Sequence, residues 1–284
     1  MQPSRRAFLL GKRPPRSVWL TFCERLEAVA TGPLETLGEQ RARLLAADAM
    51  DARIARRLCA EYGVTLALAG TAAARPAAAA GPCLVVDPGR LTSVRQADGR
   101  WHVAPGARVG GLLAAGLTQF ESEIPSTPVG LWLAQAGGWP TSGTAASGLV
   151  GVKAVLADGT VETFGAFGAA ATQPLQSVTV QRLVPALFEL LRGEAGRACL
   201  AAPAWAPRHR LDALDGAAVN LAQVFLGHGG ALAWIEELVF EPGGAAPALP
   251  PAPDPALAGP ARQLDARVRA LFDPAGCYAE AGPH

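Results

Sequence analysis

The chain has 284 residues, half of them hydrophobic and 17% charged, with a formal net charge of +1. This length and composition are typical of a globular protein with one large or two modest domains and exclude an intrinsically disordered chain. Because basic and acidic residues are intermixed and nearly balanced, the chain lacks the long-range positive field that a nucleic acid or an anionic membrane would need.

The N-terminus and the cysteines both favour the cytoplasm. The apolar run after Arg5-Arg6 covers only residues 7–10, whereas a secretory signal needs about 7–15 apolar residues, so we interpret the N-terminus as an exposed basic arm. No stretch approaches the ~20 apolar residues that cross a bilayer. The cysteines are scattered, without a CxxC pair, which predicts buried thiols and no metal site. They are Cys23, Cys59, Cys83, Cys199 and Cys277.

Apolar spacing in the first part of the chain predicts an αβ unit. Residues 19–29 and 46–62 have the period of amphipathic helices, and Gly63 ends the second helix as a C′ glycine. The apolar run at 64–69 predicts a short strand that leads into a Gly70-Thr71 turn. A helix, a glycine stop, a strand and a glycine turn in this order place that turn where a ligand would bind.

The rest of the chain alternates strands and helices, which predicts a mixed α+β fold without internal repeats. An Ala- and Pro-rich stretch at 242–260 is typical of a flexible linker. The other predicted elements are strands at 83–87 and 101–104, a short helix at 109–117, a hairpin of 151–156 with 160–164 about Asp158-Gly159, and helices at 183–191, 231–238 and 261–271.

Three motifs occur in an order that carries a family resemblance. The first is Ala-Glu-Tyr-Gly-Val at 60–64 with Leu-Ala-Leu-Ala-Gly-Thr at 66–71. The second is Gly-Gly-Trp-Pro-Thr-Ser-Gly at 137–143 with Ala-Ala-Ser-Gly at 145–148, and the third is Phe-Asp-Pro-Ala-Gly at 272–276. Together they resemble the FAD-linked oxidases, which have the PCMH-type FAD-binding domain of the vanillyl-alcohol-oxidase kind. The chain is most similar to the FAD-binding subunit of bacterial glycolate oxidase.

The resemblance implies a fold and a cofactor. The fold would be α+β, a PCMH-type FAD-binding domain of two α/β subdomains with a reduced C-terminal cap region. Residues 1–45 would form an N-terminal arm and helix and residues 46–168 the FAD-binding domain. Residues 169–284 would form the reduced cap, the linker and a C-terminal helix. FAD would bind without a covalent link, and no metal site is expected.

The resemblance also implies the residues that hold FAD. Main-chain N–H groups must approach the diphosphate closely, and glycine, which lacks a Cβ, permits this. Gly70-Thr71 and Gly137-Gly138 would therefore hold the diphosphate from two sides. The implied cofactor-binding set is Ala69, Gly70, Thr71, Pro125, Gly137, Gly138, Thr141, Ser142, Gly143 and Gly148.

Several departures from the family pattern bear on activity. Leu68 and Ala69 stand before a single Gly70, where the family has an arginine and several glycines. The loop that follows Gly148 in the family is deleted, and residues 164–261 are too few for a full substrate domain. No catalytic base is identified. His209, flanked by Arg208 and Arg210, and His228 are candidates, and the favoured interpretation of each is a surface or structural histidine.

Three functions remain open from the sequence. The first is a FAD-dependent oxidoreductase that acts on the CH–OH group of a small 2-hydroxy acid such as glycolate or lactate. The second is a non-catalytic, FAD-domain-like subunit that assembles with or regulates a related oxidase. The third is a binding module unrelated to flavin. The resemblance implies a related flavin subunit and an iron–sulfur subunit as partners, and this chain has no clustered cysteines for a cluster of its own.

Overall fold

The computed structural model describes residues 17–75, 81–171, 174–216, 218–244, 252 and 254–280. The predicted basic arm at 1–16 and much of the predicted linker at 242–260 lie outside these residues. The end of that predicted linker is helical, because the last helix already begins at Ala258.

Seven α-helices and nine strands make up the regular structure of the described residues. The helices are α1 (Val18–Val29), α2 (Ala49–Tyr62), α3 (Val109–Ala114), α4 (Val129–Gln135), α5 (Val178–Arg192), α6 (Glu194–Leu200) and α7 (Ala258–Phe272). The strands are β1 (Leu34–Gly38), β2 (Arg41–Leu45), β3 (Thr65–Leu68), β4 (Cys83–Asp87), β5 (Val94–Ala97), β6 (Arg100–Val103), β7 (Leu149–Val155), β8 (Val161–Phe164) and β9 (Trp234–Phe240).

The first subdomain is a four-stranded sheet in the order β1-β2-β4-β3, with α1 and α2 packed against it. Strands β2 and β3 both run parallel to β4, and β1 is antiparallel to β2. Asp48 caps the N-terminus of α2, where its side chain accepts from the N–H of Asp51. Gly63 caps the C-terminus in the left-handed conformation. Its predicted glycine stop is confirmed.

The second subdomain is a five-stranded antiparallel sheet in the order β5-β6-β9-β7-β8. The predicted hairpin about Asp158-Gly159 is its β7–β8 pair. The predicted helix at 231–238 is wrong, because residues from Trp234 onward form β9. This strand lies between β6 and β7, and its pairing with them outweighs the helix propensity of its Glu and Leu residues.

The two subdomains share a packed core, to which the end of the chain contributes. Cys277 to Ala279 run beside the outer edge of β3, where Leu66 N–H donates to Cys277 O and Ala279 N–H donates to Leu66 O, each at 2.8 Å. The hydroxyl of Tyr278, which is fully buried, donates to Val155 O on β7 at 2.6 Å. Tyr278 therefore joins the two sheets directly.

These features confirm the α+β class with two sheet-containing subdomains. Helices α5 and α7 bury their apolar faces against the core of the five-stranded sheet, so the residues beyond 168 share that core. Among the helices of the described ranges, none combines the length and the apolarity needed to cross a membrane.

Candidate functional site

Two turns that are distant in sequence meet at one cleft. The turn after β3 contributes Thr71 and Arg75, and the turn after α4 contributes Gly137 and Gly138. Residues 205–210 and 227–229 close the other side, and the enclosed volume is about 450 Å³. We call it the arginine cleft, because Arg75, Arg208 and Arg210 all line it.

The main chain offers hydrogen-bond donors in this cleft. No described residue accepts from the N–H of Ala72, Gly137 or Gly138. Gly138 has φ +92°, a conformation that side-chain-bearing residues rarely adopt. Donors of this kind suit an anionic ligand, whose oxygens would accept hydrogen bonds that the protein itself leaves unmade.

The charge of the cleft is positive. Within the described part of the chain, no Asp or Glu lines it. Arg75 and Arg208 form no ion pair with a described carboxylate. Both side chains belong to exposed residues. Two positive charges therefore remain available to a ligand.

Arg210 has a different role from the other two arginines. It is buried, and its guanidinium pairs with the fully buried Asp212, with Nε to Oδ1 at 3.0 Å and Nη2 to Oδ2 at 2.6 Å. Arg210 also donates to Trp139 O at 2.9 Å and Pro140 O at 2.8 Å, and the Ser142 N–H donates to Asp212 at 2.8 Å. This ion pair fixes residues 139–142, which directly follow the Gly137-Gly138 turn.

Burial perturbs both members of this ion pair. Desolvation raises the pKa of Asp212, although Arg210 and the Ser142 N–H act in the opposite direction. Desolvation likewise lowers the pKa of Arg210, against the attraction of Asp212. A buried ion pair of this kind is costly to break, because the remaining charge has no compensation.

Of the ten residues predicted to bind the cofactor, the structure brings Thr71, Gly137 and Gly138 together in the cleft. The Thr71 hydroxyl donates to Leu68 O at 2.7 Å. Ala69 and Gly70 belong to the same turn without lining the cleft, and Gly70 leaves room for Leu131, which would lie 2.7 Å from a Cβ.

The other five predicted residues lie outside the lining. Thr141 donates to Ala202 O at 2.6 Å, and Gly143 and Gly148 pack against neighbouring backbone and side chains. Ser142 is exposed, and its main chain is held by Asp212 as described above. Pro125 is exposed on a turn where its carbonyl accepts from Gly110.

The two histidine candidates are buried and neutral. Burial lowers the pKa of His228 to about 3, with Arg208 adding to the effect, and neither ring nitrogen has a partner among the described residues. Burial, then Arg208, also lowers the pKa of His209 to about 3. Neither is therefore protonated at neutral pH, and neither has the near-neutral pKa that suits a general acid or base.

The space between the two sheets is filled. Leu68, His228, Trp234 and Tyr278 meet there and leave a cavity of about 10 Å³. This is about the volume of one water-sized probe. A ring system cannot lie among these side chains, so a ligand of the arginine cleft must extend along the cleft itself.

Sequence reasoning missed two contributors to the cleft. Arg75 lies four residues after the Gly70-Thr71 turn and supplies a cation to the cleft. Gly227 and Gly229 line the opposite wall, and their N–H groups donate to Leu133 O and Ala134 O, each at 2.8 Å. The Gly-His-Gly-Gly sequence at 227–230 is a signal for this wall, because glycines permit a close approach of the main chain.

Comparisons with known proteins yield structural neighbours alone. No family model and no curated protein matches the chain. The fold is similar to a chitooligosaccharide oxidase, with 14% identity, a TM-score of 0.42, and coverage of 79% of this chain and 43% of that one. It is also similar to a carbohydrate oxidase from Microdochium nivale, with 16% identity, a TM-score of 0.43, and coverage of 78% and 42%.

A third neighbour is the 6-hydroxy-D-nicotine oxidase of Arthrobacter nicotinovorans, with 15% identity, a TM-score of 0.40, and coverage of 80% of this chain and 40% of that one. The chain thus spans less than half the length of each of these three structures. Similarity at this level does not indicate an activity, so the function is inferred from the residues of the cleft.

Proposed function

We propose that this chain binds FAD through its diphosphate in the arginine cleft and serves as a flavin-dependent oxidoreductase or oxidoreductase subunit. The observation that carries the proposal is the meeting of two main-chain turns with two unpaired arginines. The N–H groups of Ala72, Gly137 and Gly138 have no acceptor among the described residues. The charges of Arg75 and Arg208 would match the two negative charges of a dinucleotide diphosphate.

The size of the cleft supports a ligand of this class. Its volume of about 450 Å³ lies within the range of roughly 300–1,000 Å³ typical of ligand pockets. Thr71, Gly137 and Gly138 would hold the diphosphate, and Arg210 with Asp212 would keep the second turn in place. When bound, FAD would supply a hydride acceptor, and the chain would supply binding, orientation and charge.

The finer features of the proposal follow the family resemblance. The substrate would be a small 2-hydroxy acid such as glycolate or lactate, and a related flavin subunit and an iron–sulfur subunit would be partners. The cationic surroundings of the cleft suit a carboxylate substrate. A cytoplasmic location is proposed because all five cysteines are free thiols, as expected in a reducing compartment.

A second candidate function is a non-catalytic subunit that keeps the cofactor-binding fold. The observation in its favour is that neither histidine near the cleft has a pKa suited to acid–base catalysis at neutral pH. Such a chain would bind FAD and assemble with a related oxidase without turnover of its own. Absence of FAD reduction by glycolate or lactate, in a chain that binds FAD, would favour this candidate.

The test is a titration of the purified chain with FAD, followed through the flavin absorbance band at ~450 nm. We expect saturable binding by the wild type and a loss of roughly 100-fold in affinity for the Arg75→Ala/Arg208→Ala variant, at about tenfold for each charged contact. Arg267→Ala is the matched control, since this exposed arginine lies on α7 and outside the cleft. No uptake of FAD by the wild type would contradict the proposal.

A further inference from the structure

A second, larger groove lies on the far side of Arg208 from the arginine cleft. Its walls are residues 206–209, helix α7 and residues 273–280, and its volume is about 970 Å³. Much of the lining is apolar, contributed by four alanines and one proline. These residues are Ala206, Ala266, Ala270, Pro274 and Ala275.

The acidic residues of this groove are already engaged. The two oxygens of Asp265 accept from the main-chain N–H groups of Arg208 and His209, at 2.9 and 3.0 Å. The two oxygens of Asp273 accept from Cys277 and Tyr278, at 2.9 and 2.7 Å. Glu280 forms an ion pair with Arg269. A cationic ligand would therefore compete with bonds that hold the fold together.

The basic residues are less fully engaged than the acidic ones. Arg262 is exposed at the groove and forms no ion pair or hydrogen bond with another described residue. Nε of Arg269 is a buried donor without a described acceptor, and Nδ1 of the buried His209 also has no described partner. The guanidinium of Arg262 and the Nε of Arg269 therefore remain as donors without described acceptors.

The basic residues around His209 also favour a negatively charged ligand. Burial lowers the pKa of His209 most, and the charged groups Arg208 and Arg269 lower it further. A negative charge in the groove would oppose this effect. The largely apolar walls further require that such a ligand have an apolar body, which inorganic phosphate lacks.

We propose that this groove binds a carboxylate with an aliphatic body, its negative end at Arg262 and Arg208 and its chain against Ala266 and Ala270. Planar guanidinium groups match the geometry of a carboxylate, and small exposed alanines on α7 leave room for the chain. The groove shares one lining residue with the arginine cleft, Arg208, whereas Arg262 belongs to the groove alone and therefore distinguishes the two sites.

The test uses hexanoate as the probe, with hexanamide, hexylammonium and inorganic phosphate as comparison arms. Binding to the purified full chain is followed by backbone amide NMR shifts at Ala266, Ala270 and Gly276. For eight non-hydrogen atoms we expect a hexanoate Kd on the order of 1 mM. We expect at least tenfold weaker binding of each of the other three probes, because each lacks either the negative charge or the apolar body.

Matched variants on one helix identify the cation. Arg262→Ala should weaken hexanoate binding roughly tenfold, the loss typical of one charge-assisted contact. Arg267→Ala, a neighbouring exposed arginine outside the groove, should leave it unchanged. Hexanoate that does not bind, binds no better than hexanamide, or binds equally well to Arg262→Ala overturns the proposal. A chain that binds hexanoate but not FAD would refute the FAD site alone.

Discussion

Replacement of Arg210 by methionine tests how the cleft is held in shape. The change leaves Asp212, whose side chain is 0% exposed, without its cation, and it removes the donors to Trp139 O and Pro140 O. Removal of one partner of a buried ion pair typically costs about 3–5 kcal/mol. We expect Arg210→Met to lower the free energy of unfolding by that amount, measured by urea denaturation at neutral pH.

The pH dependence of this loss has a defined sign. Without Arg210, the pKa of Asp212 loses its largest lowering influence and rises further above the ordinary carboxyl value. A carboxyl whose pKa is raised in the folded state contributes stability that is complete below its unfolded pKa of about 4 and declines as pH rises toward the folded pKa. The Arg210→Met variant should therefore recover part of its stability toward pH 4.

A double variant separates positioning from overall stability. Arg210→Met/Asp212→Leu removes the uncompensated charge, so most of the stability should return. The hydrogen bonds to residues 139–142 remain absent, so affinity for FAD or ADP should stay roughly tenfold or more below the wild type. As a control, Arg53→Met removes one of the two cations paired with Glu236, which is 3% exposed, and neither Arg53 nor Glu236 lines the cleft. This variant should have a lower free energy of unfolding and an unchanged affinity for FAD or ADP.

Two results would refute this reasoning. One is a double variant whose ligand affinity recovers together with its stability, since Arg210 would then act on the fold alone. The other is an Arg53→Met variant that loses ligand affinity as much as Arg210→Met does.

Two further predictions concern buried polar groups. His228→Leu should reduce the loss of stability at acid pH. A histidine whose pKa is about 3 in the folded state costs about 1.4 kcal/mol of stability per pH unit as the pH falls below its unfolded pKa of about 6.5. Thermal unfolding between pH 7 and pH 4 measures this, and equal slopes for variant and wild type would contradict it. In native protein a thiol reagent such as dithionitrobenzoate should modify Cys23 alone at an appreciable rate, because Cys23 is partly exposed and the other four thiols are buried. All five should react after denaturation, and rapid modification of a second native thiol would show that burial does not protect it.

Local signals in the sequence predicted much of the fold. Helix α2 with its Gly63 stop and the hairpin about Asp158-Gly159 depend on contacts within short segments, which composition and spacing report well. Strand β4 pairs with distant strands, but its continuous apolar run is typical of a buried parallel strand. Strand β9 is not reported by such local signals. Its sequence contains good helix formers, and its state is decided by β6 and β7, which are distant in the chain.

The same distinction applies to the candidate site. The glycine turns at 70–71 and 137–138 were recognisable because close backbone approach favours glycine wherever it occurs. The contacts of Arg210 and Asp212 with residues 139–142 span about 70 positions, and no local pattern predicts them. Arg75 and Arg208 likewise become cleft residues through tertiary packing.

The main-chain amides of the cleft provide the most direct test of the whole account. Backbone NMR of isotope-labelled protein during titration with FAD would follow the N–H signals of Ala72, Gly137 and Gly138. We predict that all three shift together and saturate at one equivalent, as their protons acquire phosphate acceptors. FAD that binds while these three signals stay unmoved would contradict the central claim.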